Sequence, residues 1–155
     1  MVTQQQLHEL FEYQDGNFVC KKTNKIKKLV PITNHHRYNR VVVSGKAYAF
    51  HRLVYLYHFG KLPKIIDHID NDRSNNRIEN LREVTQQQNC LNRITHRNNK
   101  SGYKNVIWHK KTAKWSVVMS VNGERQWLGT YDDLELAGLI ANEAREKYHG
   151  KFARS

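Results

Sequence analysis

Residues 67–93, "DHIDNDRSNNRIENLREVTQQQNCLNR", form the most informative segment of the chain. Six of its 27 residues are asparagines, and its one histidine is flanked by carboxylates. Asparagine favours turns over helices and strands, so this density predicts loop structure. The segments "KIIDHI" (64–69) and "LREVT" (81–85) nevertheless predict two strands on either side of a turn-rich loop.

The second strand is expected to lead into a helix. Thr85 followed by Gln88 forms a capping box, which predicts that this helix begins at Gln86. Its apolar stripe is expected at helical spacing: Cys90, Leu91 and Ile94. The whole stretch is therefore expected to fold in the order strand, loop, strand, helix.

The side chains of this block have the chemistry that hydrolysis of a phosphodiester bond requires. The reaction needs a base for water and a divalent cation that neutralises the developing charge. Histidine titrates near neutral pH, and Mg²⁺ takes few protein oxygens beside phosphate and water. Asp67 and His68 are consecutive on a predicted strand, so their side chains point to opposite faces. Asn89 on the predicted helix can face the strands and meet Asp67 across a metal, and Asn80 can hold His68 or its loop in position.

Residues 51–89, "HRLVYLYHFGKLPKIIDHIDNDRSNNRIENLREVTQQQN", closely resemble the HNH endonuclease family, in the version found in phage homing endonucleases. The resemblance implies a ββα-metal fold that uses Mg²⁺ or Mn²⁺. Separately, the two cysteines are too few for a four-cysteine or paired CxxC zinc site, so no structural zinc is expected. The resemblance implies that His68 is the general base and that Asn80 orients the active-site loop. It also implies that Asp67 and Asn89 are metal ligands. The last motif position is often histidine in this family, and here it is asparagine.

The remaining polar residues of the block have simpler interpretations. Asp70 and Asp72 are expected to shape the turn, and Asp70 is a weaker candidate for the metal site. His51 is expected to be an ordered core histidine rather than a DNA contact. Four asparagines are expected to be turn and surface residues: Asn71, Asn75, Asn76 and Asn92.

The first sixty residues predict a short helix followed by strands. Three apolar residues are expected to share one face of that helix: Leu7, Leu10 and Phe11. The segment "GNFVCK" and the stretch around the turn Ser44-Gly45 predict strands. The segment "HRLVYLYHFG" predicts a second short helix that ends at Gly60.

Residues 103–153 predict a second compact unit after a polar linker at residues 95–102. "KWSVVMSV" and "ERQWLGTY" alternate in polarity and meet across Asn122-Gly123, a strong hairpin signal. The two-residue turn predicts four opposed pairs: Val121 with Glu124, Ser120 with Arg125, Val118 with Trp127, and Ser116 with Gly129. Asp132 or Asp133 is expected to cap a final helix that ends at Gly150. The apolar stripe of that helix is expected at Ala137, Ile140, Ala141, Ala144 and Tyr148.

The hairpin register divides the predicted sheet into two faces. The apolar face is expected to pack on the helix: Trp115, Val117, Met119 and Leu128. The other face is expected to stay open: Lys114, Ser116, Val118, Ser120, Arg125 and Trp127. An open sheet face with cations and an aromatic side chain suits nucleic acid, since a β-sheet can enter the major groove. The alternative is that Trp127 packs on the stem of Arg125 and binds nothing.

Residues 101–153, "SGYKNVIWHKKTAKWSVVMSVNGERQWLGTYDDLELAGLIANEAREKYHGKFA", resemble the plant ethylene-response-factor (APETALA-type) DNA-binding domain. The resemblance implies a three-stranded sheet, backed by one helix, that reads DNA. Lys104 in the first strand, and Arg125 and Trp127 in the third, match its contact positions. Val118 and Ser120 replace charged contact residues, and Asn105 stands where glycine is usual, so its sequence specificity is not expected here. The expected DNA contacts are Lys104, Lys110, Lys111, Lys114, Ser120, Arg125, Trp127, Arg37 and Arg40.

Composition indicates a polyanionic partner. The chain carries 26 Lys and Arg against 14 Asp and Glu, a net charge of +12, and half of this excess lies in residues 1–60. Such a balance predicts binding to DNA or RNA, with a plain soluble basic protein as the alternative. Cys20 and Cys90 form no disulfide framework and fit a reducing compartment. Without a membrane-length apolar run or a signal peptide, the protein is expected in the cytoplasm of a bacterium or a phage-infected host.

These features together predict an α+β protein with a ββα-metal core followed by a three-stranded antiparallel sheet packed on one helix. The expected domains are residues 1–94, with the motif core at 51–94, then the linker, then residues 103–153. The expected function is that of an endonuclease, homing or site-biased, that acts on double-stranded DNA as a monomer or weak dimer. The rival is a DNA-binding regulator whose HNH fold is a relic, and an RNA-directed nuclease is a third alternative.

Overall fold

The computed structural model describes residues 2–33, 37–93, 95 and 98–152, in two compact units, residues 1–86 and 87–155. The helices are α1 (Gln4–Leu10), α2 (Phe50–Phe59), α3 (Gln86–Leu91) and α4 (Leu134–His149). The strands are β1 (Phe11–Gln14), β2 (Asn17–Cys20), β3 (Lys25–Ile26), β4 (Arg40–Val43), β5 (Lys46–Ala49), β6 (Ile66–His68), β7 (Leu81–Glu83), β8 (Val106–His109), β9 (Lys114–Val121) and β10 (Glu124–Tyr131). None of the helices in this described part of the chain has the length and apolar character of a membrane span.

The core of the first unit forms where α1 and α2 pack with the sheet β1–β2–β3 and the hairpin β4–β5. Leu7 of α1 is fully buried in it, as predicted. Leu10 and Phe11 do not share the predicted face with Leu7, so that prediction is wrong for both. The helix α1 ends at Leu10, and Phe11 begins a strand. Leu10 is left 41% exposed, while Phe11 stacks on the ring of Phe18 at 5.2 Å between centroids.

Two predicted turns position the second helix of this unit. Ser44 and Gly45 have φ values of 48° and 76° and join β4 to β5, where such left-handed backbone matches the twist of a tight hairpin. The chain then enters α2 directly from β5. Gly60 ends α2 with φ 69°, and its backbone N–H donates to the carbonyl of Leu56.

The asparagine-rich block folds in the predicted order, since β6 and β7 pair antiparallel and α3 begins at Gln86. A single 3₁₀ turn, Ile78–Asn80, leads into β7. The helix α3 falls at the division between the two units. Ile94, the last member of its predicted apolar stripe, lies outside the described residues.

The second unit is a three-stranded antiparallel sheet in the order β8–β9–β10, with α4 against one face. The predicted pairs are confirmed from Val121 with Glu124 to Val118 with Trp127. The predicted pair of Ser116 with Gly129 is wrong, because a β-bulge between Trp127 and Gly129 moves Gly129 opposite Val117. A bulge adds one residue to one strand and therefore shifts every later pair by one.

The helix α4 begins and ends where the sequence predicts. The carboxylate of Asp133 caps it by accepting a hydrogen bond from the backbone N–H of Leu136 at 2.7 Å, and Gly150 follows its last residue. Ala137 and Ala141 are fully buried against the sheet. Tyr148 is 42% exposed, so its predicted place in the buried stripe is wrong.

A small residue that the predicted stripe left out brings the helix close to its neighbour. Gly138 is buried beneath the ring of Tyr103, and a Cβ atom there would lie 2.6 Å from that ring. The close approach therefore requires glycine.

Candidate functional site

The strand β6 carries the two residues on which the predicted chemistry depends. Asp67 and His68 are 7% and 4% exposed, although both are polar. Antiparallel pairing with β7 sets Asp67 opposite Arg82 and His68 opposite Leu81. Because successive strand residues point to opposite faces, the carboxylate and the imidazole have different surroundings.

The carboxylate of Asp67 is neutralised by an arginine that the sequence analysis missed. Both Nε and Nη2 of Arg82 donate to Oδ2 of Asp67, at 3.0 and 2.9 Å. The two side chains are only 8% and 15% exposed, so solvent screens this pair little. The cross-strand register was the available signal, since directly opposed residues lie on the same face of a sheet.

The imidazole of His68 meets an asparagine that was expected to be a surface residue. Its Nε2 lies 3.2 Å from Oδ1 of Asn76. Asn76 is 3% exposed, so its predicted place on the surface is wrong, and the same holds for Asn92, also 3% exposed. Asn76 is buried because the loop folds back over β6 and returns this side chain to the histidine.

Aromatic side chains surround the ring of His68. The ring centroids of His51 and Tyr38 lie 5.4 and 6.0 Å from it. The guanidinium of Arg73 in turn lies over the ring of Tyr38, 5.3 Å from its centroid. His51 is 5% exposed, in agreement with the prediction of an ordered core histidine.

Burial changes the protonation of both histidines. It lowers the pKa of His51 to about 3, with smaller contributions from the nearby His68 and Arg52. Burial also lowers the pKa of His68 below its ordinary value, while the bond with Asn76 and the nearby carboxylates oppose that shift. Both rings are therefore neutral at physiological pH. Within the described part of the chain, the Nδ1 atom of His51 has no hydrogen-bond partner.

The loop after β6 is held by its own side chains around Asp70. Oδ1 of Asp70 accepts from the backbone N–H of Asp72 at 2.8 Å and from Nδ2 of Asn80 at 2.9 Å. Oδ2 accepts from Nδ2 of Asn75 at 2.7 Å. Partial burial raises the pKa of Asp70, but these hydrogen bonds outweigh it and the pKa lies below its ordinary value.

Asn80 closes the same loop from its far end. Its Oδ1 accepts from the backbone N–H of Asp70 at 3.1 Å, and its Nδ2 also donates to the backbone carbonyl of Asn75 at 2.8 Å. Asn71 adopts φ 63°, a left-handed conformation that asparagine tolerates in turns. Asn80 therefore touches the loop and not the ring of His68 in any contact described, and its catalytic role stays a prediction.

The predicted metal ligands are both oxygen donors, and their role stays a prediction. Asp67 belongs to the first unit, whereas Asn89 lies half-buried on α3 in the second unit. No group of three or more His, Cys, Asp or Glu side chains that could hold a metal ion occurs in the described part of the chain.

The open face of the second unit carries the best-placed of the predicted DNA contacts. Trp127 is 67% exposed, and Arg125 beside it is exposed as well. Both line a groove of about 320 Å³ across all three strands, together with Ile107, His109, Thr112, Ser116, Val118 and Thr130. The opposite face carries the buried Val117 and Met119, so the predicted division of the sheet into faces is confirmed.

The predicted lysine contacts lie around the edges of this sheet. Lys110 and Lys111 are exposed in the turn between β8 and β9. Lys114 pairs with Asp132 at 3.1 Å. Lys104 precedes the first strand, so its predicted place within that strand is wrong. The reason is a turn in which the hydroxyl of Ser101 lies within hydrogen-bond distance of the carbonyls of Tyr103 and Val106, at 2.9 and 3.0 Å, and the strand begins only at residue 106.

Lys104 and Ser120 instead line a separate basic cavity of about 330 Å³. Three further basic side chains line it: Arg93, Arg145 and His149. The two predicted contacts in the first unit differ from each other. Arg37 is exposed, whereas Arg40 is half-buried and donates from Nη2 to the carbonyl of Ala47 at 2.9 Å.

Comparison with known proteins identifies relatives from a bacteriophage and from a mimivirus. Residues 48–91 match the family described as HNH endonuclease. Protein 3.8 of Escherichia phage T7 is 35% identical over 97 residues, which cover 61% of this chain and 79% of that protein. An uncharacterised HNH endonuclease of Acanthamoeba polyphaga mimivirus is 37% identical over 106 residues, covering 66% of this chain and 54% of the viral protein. No solved structure matches the chain.

Proposed function

The chain belongs to the same family as protein 3.8 of Escherichia phage T7 and carries an HNH endonuclease domain, and on this premise we propose that it is a metal-dependent DNA endonuclease. It hydrolyses phosphodiester bonds to 5′-phosphate and 3′-hydroxyl ends. The observation that carries the proposal is the pair of buried polar residues on β6, Asp67 and His68, each with its own hydrogen-bonded partner. Buried polar groups are costly to keep unless they are paired, and perturbed histidines cluster at functional sites.

His68 acts as the general base in this proposal. A base for water must be neutral before the reaction, and burial holds the pKa of His68 below its ordinary value. The rings of His51 and Tyr38 and the amide of Asn76 restrict the movement of the imidazole. A restricted imidazole favours one orientation of the attacking water. Correct orientation of the reacting groups supplies much of the rate acceleration of an enzyme.

Asp67 and Asn89 are the proposed ligands of a divalent cation. A carboxylate and an amide carbonyl are oxygen donors, which fits Mg²⁺ or Mn²⁺ and does not fit a thiolate metal site. When bound, such an ion neutralises charge on the phosphate and on the leaving 3′ oxygen. Arg82 holds Oδ2 of the Asp67 carboxylate in place by two hydrogen bonds, from Nε and Nη2.

The second unit is proposed to hold duplex DNA on its open sheet face, in the manner of an ethylene-response-factor domain. The exposed Trp127 and Arg125 lie side by side across a groove, and none of the described residues that line this groove is acidic. The net charge of +12 adds long-range attraction to a polyanion. With its own DNA-binding surface the enzyme would cut at preferred sites, as homing endonucleases do.

A supercoiled plasmid tests the proposal directly. The full chain with Mg²⁺ or Mn²⁺ is expected to nick the plasmid, and chelation by EDTA is expected to stop the reaction. Treatment of the product with DNA ligase then reads the ends, because only adjacent 5′-phosphate and 3′-hydroxyl groups are sealed.

The same assay separates the rival functions. A plasmid that is bound but stays closed with every metal and target DNA would identify a DNA-binding regulator instead. Competition with duplex RNA distinguishes the third alternative, since an RNA-directed nuclease would lose its DNA cleavage to a small excess of RNA.

A further inference from the structure

The hydrogen bond between His68 and Asn76 determines more than the position of the ring. We propose that Asn76 is a positioning residue that selects one tautomer of His68, with the proton on Nε2 and the lone pair on Nδ1. This inference rests on the proposed function, because it names the nitrogen that takes a proton from water. Neither the motif spacing nor the predicted roles of Asp67, Asn80 and Asn89 include Asn76.

The atom of Asn76 that faces the histidine is determined by its second hydrogen bond. Nδ2 of Asn76 donates to the backbone carbonyl of Ser74 at 2.9 Å. A reversed amide would set Oδ1 against that carbonyl, and two acceptors repel each other. Oδ1 therefore faces Nε2 of His68, 3.2 Å away, and since an amide oxygen only accepts, Nε2 must carry the hydrogen.

The position of Asn76 is itself fixed by the fold. The hydroxyl of Tyr13 accepts from the backbone N–H of Ile78 at 2.9 Å and donates to the backbone carbonyl of Asn76 at 3.5 Å. Tyr13 belongs to β1, so this contact ties the loop to the N-terminal sheet. With Asn76 and His68 only 3% and 4% exposed, water has little access to replace the bond between them.

An amide suits this position better than a carboxylate would. The neighbourhood of His68 already holds the carboxylates of Asp67, Asp70 and Asp72. A neutral acceptor orients the ring without adding a fourth negative charge where a phosphate must approach. The tautomer it selects leaves Nδ1 as the basic nitrogen, on the side of the ring away from Asn76.

Nitrogen NMR of the full-length protein measures the tautomer without any use of nuclease activity. In ¹⁵N-histidine-labelled protein at a pH where the rings are neutral, two-bond ¹H–¹⁵N correlations identify the protonated nitrogen of each ring. The His68 signals are assigned as those missing from His68→Gln. We expect His68 to carry its proton on Nε2, with that proton slow to exchange, and a ring protonated on Nδ1 overturns the proposal.

Substitutions at adjacent asparagines give the matched comparison. Asn76→Leu removes the acceptor and is expected to abolish the slowly exchanging Nε2 proton. Asn75→Leu loosens the same loop through Asp70 but touches no atom of His68 in the described contacts, so its His68 spectrum should match the wild type. An unchanged Nε2 proton in Asn76→Leu, or equal changes in the Asn75 and Asn76 variants, contradicts the proposal.

Measurements of kcat and KM distinguish a failure of this inference from a failure of the proposed function. If the wild type cleaves DNA, Asn76→Leu should lower kcat by about 10- to 100-fold with KM little changed, the loss typical of a residue that orients a catalytic group. A rise in KM alone contradicts the positioning role. If the wild type cleaves nothing, the proposed function fails, while the NMR result still decides whether Asn76 selects the tautomer.

Discussion

The two units of this chain put their polar side chains in opposite places. In the first unit Asp67, His68 and Asn76 are all under 10% exposed and each has a defined partner. In the second unit Trp127 is 67% exposed, with the exposed Arg125 beside it on an open sheet. Buried groups have strong electrostatic interactions and suit bond cleavage, whereas exposed groups make reversible contacts and suit recognition. Under the proposed function, this contrast assigns DNA cleavage to the first unit and DNA recognition to the second.

The strongest test of that division is the replacement of His68 by alanine. Loss of a general base is expected to lower single-turnover DNA cleavage by roughly 10²- to 10⁴-fold. DNA affinity, measured by fluorescence anisotropy without metal, should stay close to the wild-type value, because the exposed sheet is unchanged. Cleavage by His68→Ala at the wild-type rate would remove the chemistry from the first unit.

A second test measures how much the buried ion pair between Asp67 and Arg82 stabilises the first unit. Arg82→Met leaves Asp67 buried without its arginine and is expected to lower the free energy of unfolding by roughly 3 kcal/mol. Lys61→Met is the matched control, because its pair with Glu83 is about half exposed and solvent screens it, so its loss should change the free energy of unfolding much less.

The measurement is urea unfolding followed by far-UV circular dichroism and by tryptophan fluorescence. All three tryptophans lie in the second unit, at positions 108, 115 and 127, so their fluorescence follows that unit alone. Arg82→Met should therefore shift the circular-dichroism transition. Equal stability of the Arg82 and Lys61 variants would mean that burial of Asp67 is not costly here.

The third test removes the recognition surface. Arg125→Ala combined with Trp127→Ala is expected to weaken duplex binding by about 1–3 kcal/mol, or roughly 10- to 100-fold in Kd. The slope of log Kd against the logarithm of the salt concentration should also fall, by an amount that corresponds to about one phosphate contact. The control is Lys147→Ala with Leu139→Ala on α4, which removes one charge and one exposed apolar side chain elsewhere. Equal losses in the two double variants would assign binding to charge alone.

A fourth test concerns the pH dependence that the buried His51 adds to stability. Its pKa is about 3 in the folded chain, against an ordinary value of 6.5. The unfolded chain therefore binds the extra proton first, so this contribution to stability is complete above pH 6.5 and is lost as pH falls below it. The loss should approach about 1.4 kcal/mol per pH unit, and His51→Leu should flatten the stability profile between pH 4.5 and 6.5. Parallel profiles would show that His51 is not the titrating group.

Local signals predicted much of this fold. Ser44-Gly45, Asn122-Gly123, Gly60 and Asp133 act through backbone conformations or caps that involve a few neighbouring residues. Such effects are readable from sequence because no distant contact is needed to produce them. The spacing of the asparagine block likewise predicted the order of strand, loop, strand and helix.

Features that depend on distant partners were not predictable from the same signals. Asparagine is a residue type that favours turns, and Asn76 becomes buried only because its loop returns to His68. The bulge at Leu128 arises where the sheet meets α4, and the alternating pattern of β10 does not reveal it. Arg82 pairs with Asp67 across a register that exists only once β6 and β7 have met. In each case tertiary packing decided an outcome that local preference left open.

The loop closed around Asp70 has a consequence for the timing of catalysis. The carboxylate of Asp70 and the amides of Asn75 and Asn80 hold this loop through hydrogen bonds within the chain. The conformational entropy of this loop is therefore lost once, when the protein folds, and not at each encounter with DNA. Under the proposed function, a DNA substrate would therefore meet a loop that is already ordered, and loop ordering is not expected to limit turnover.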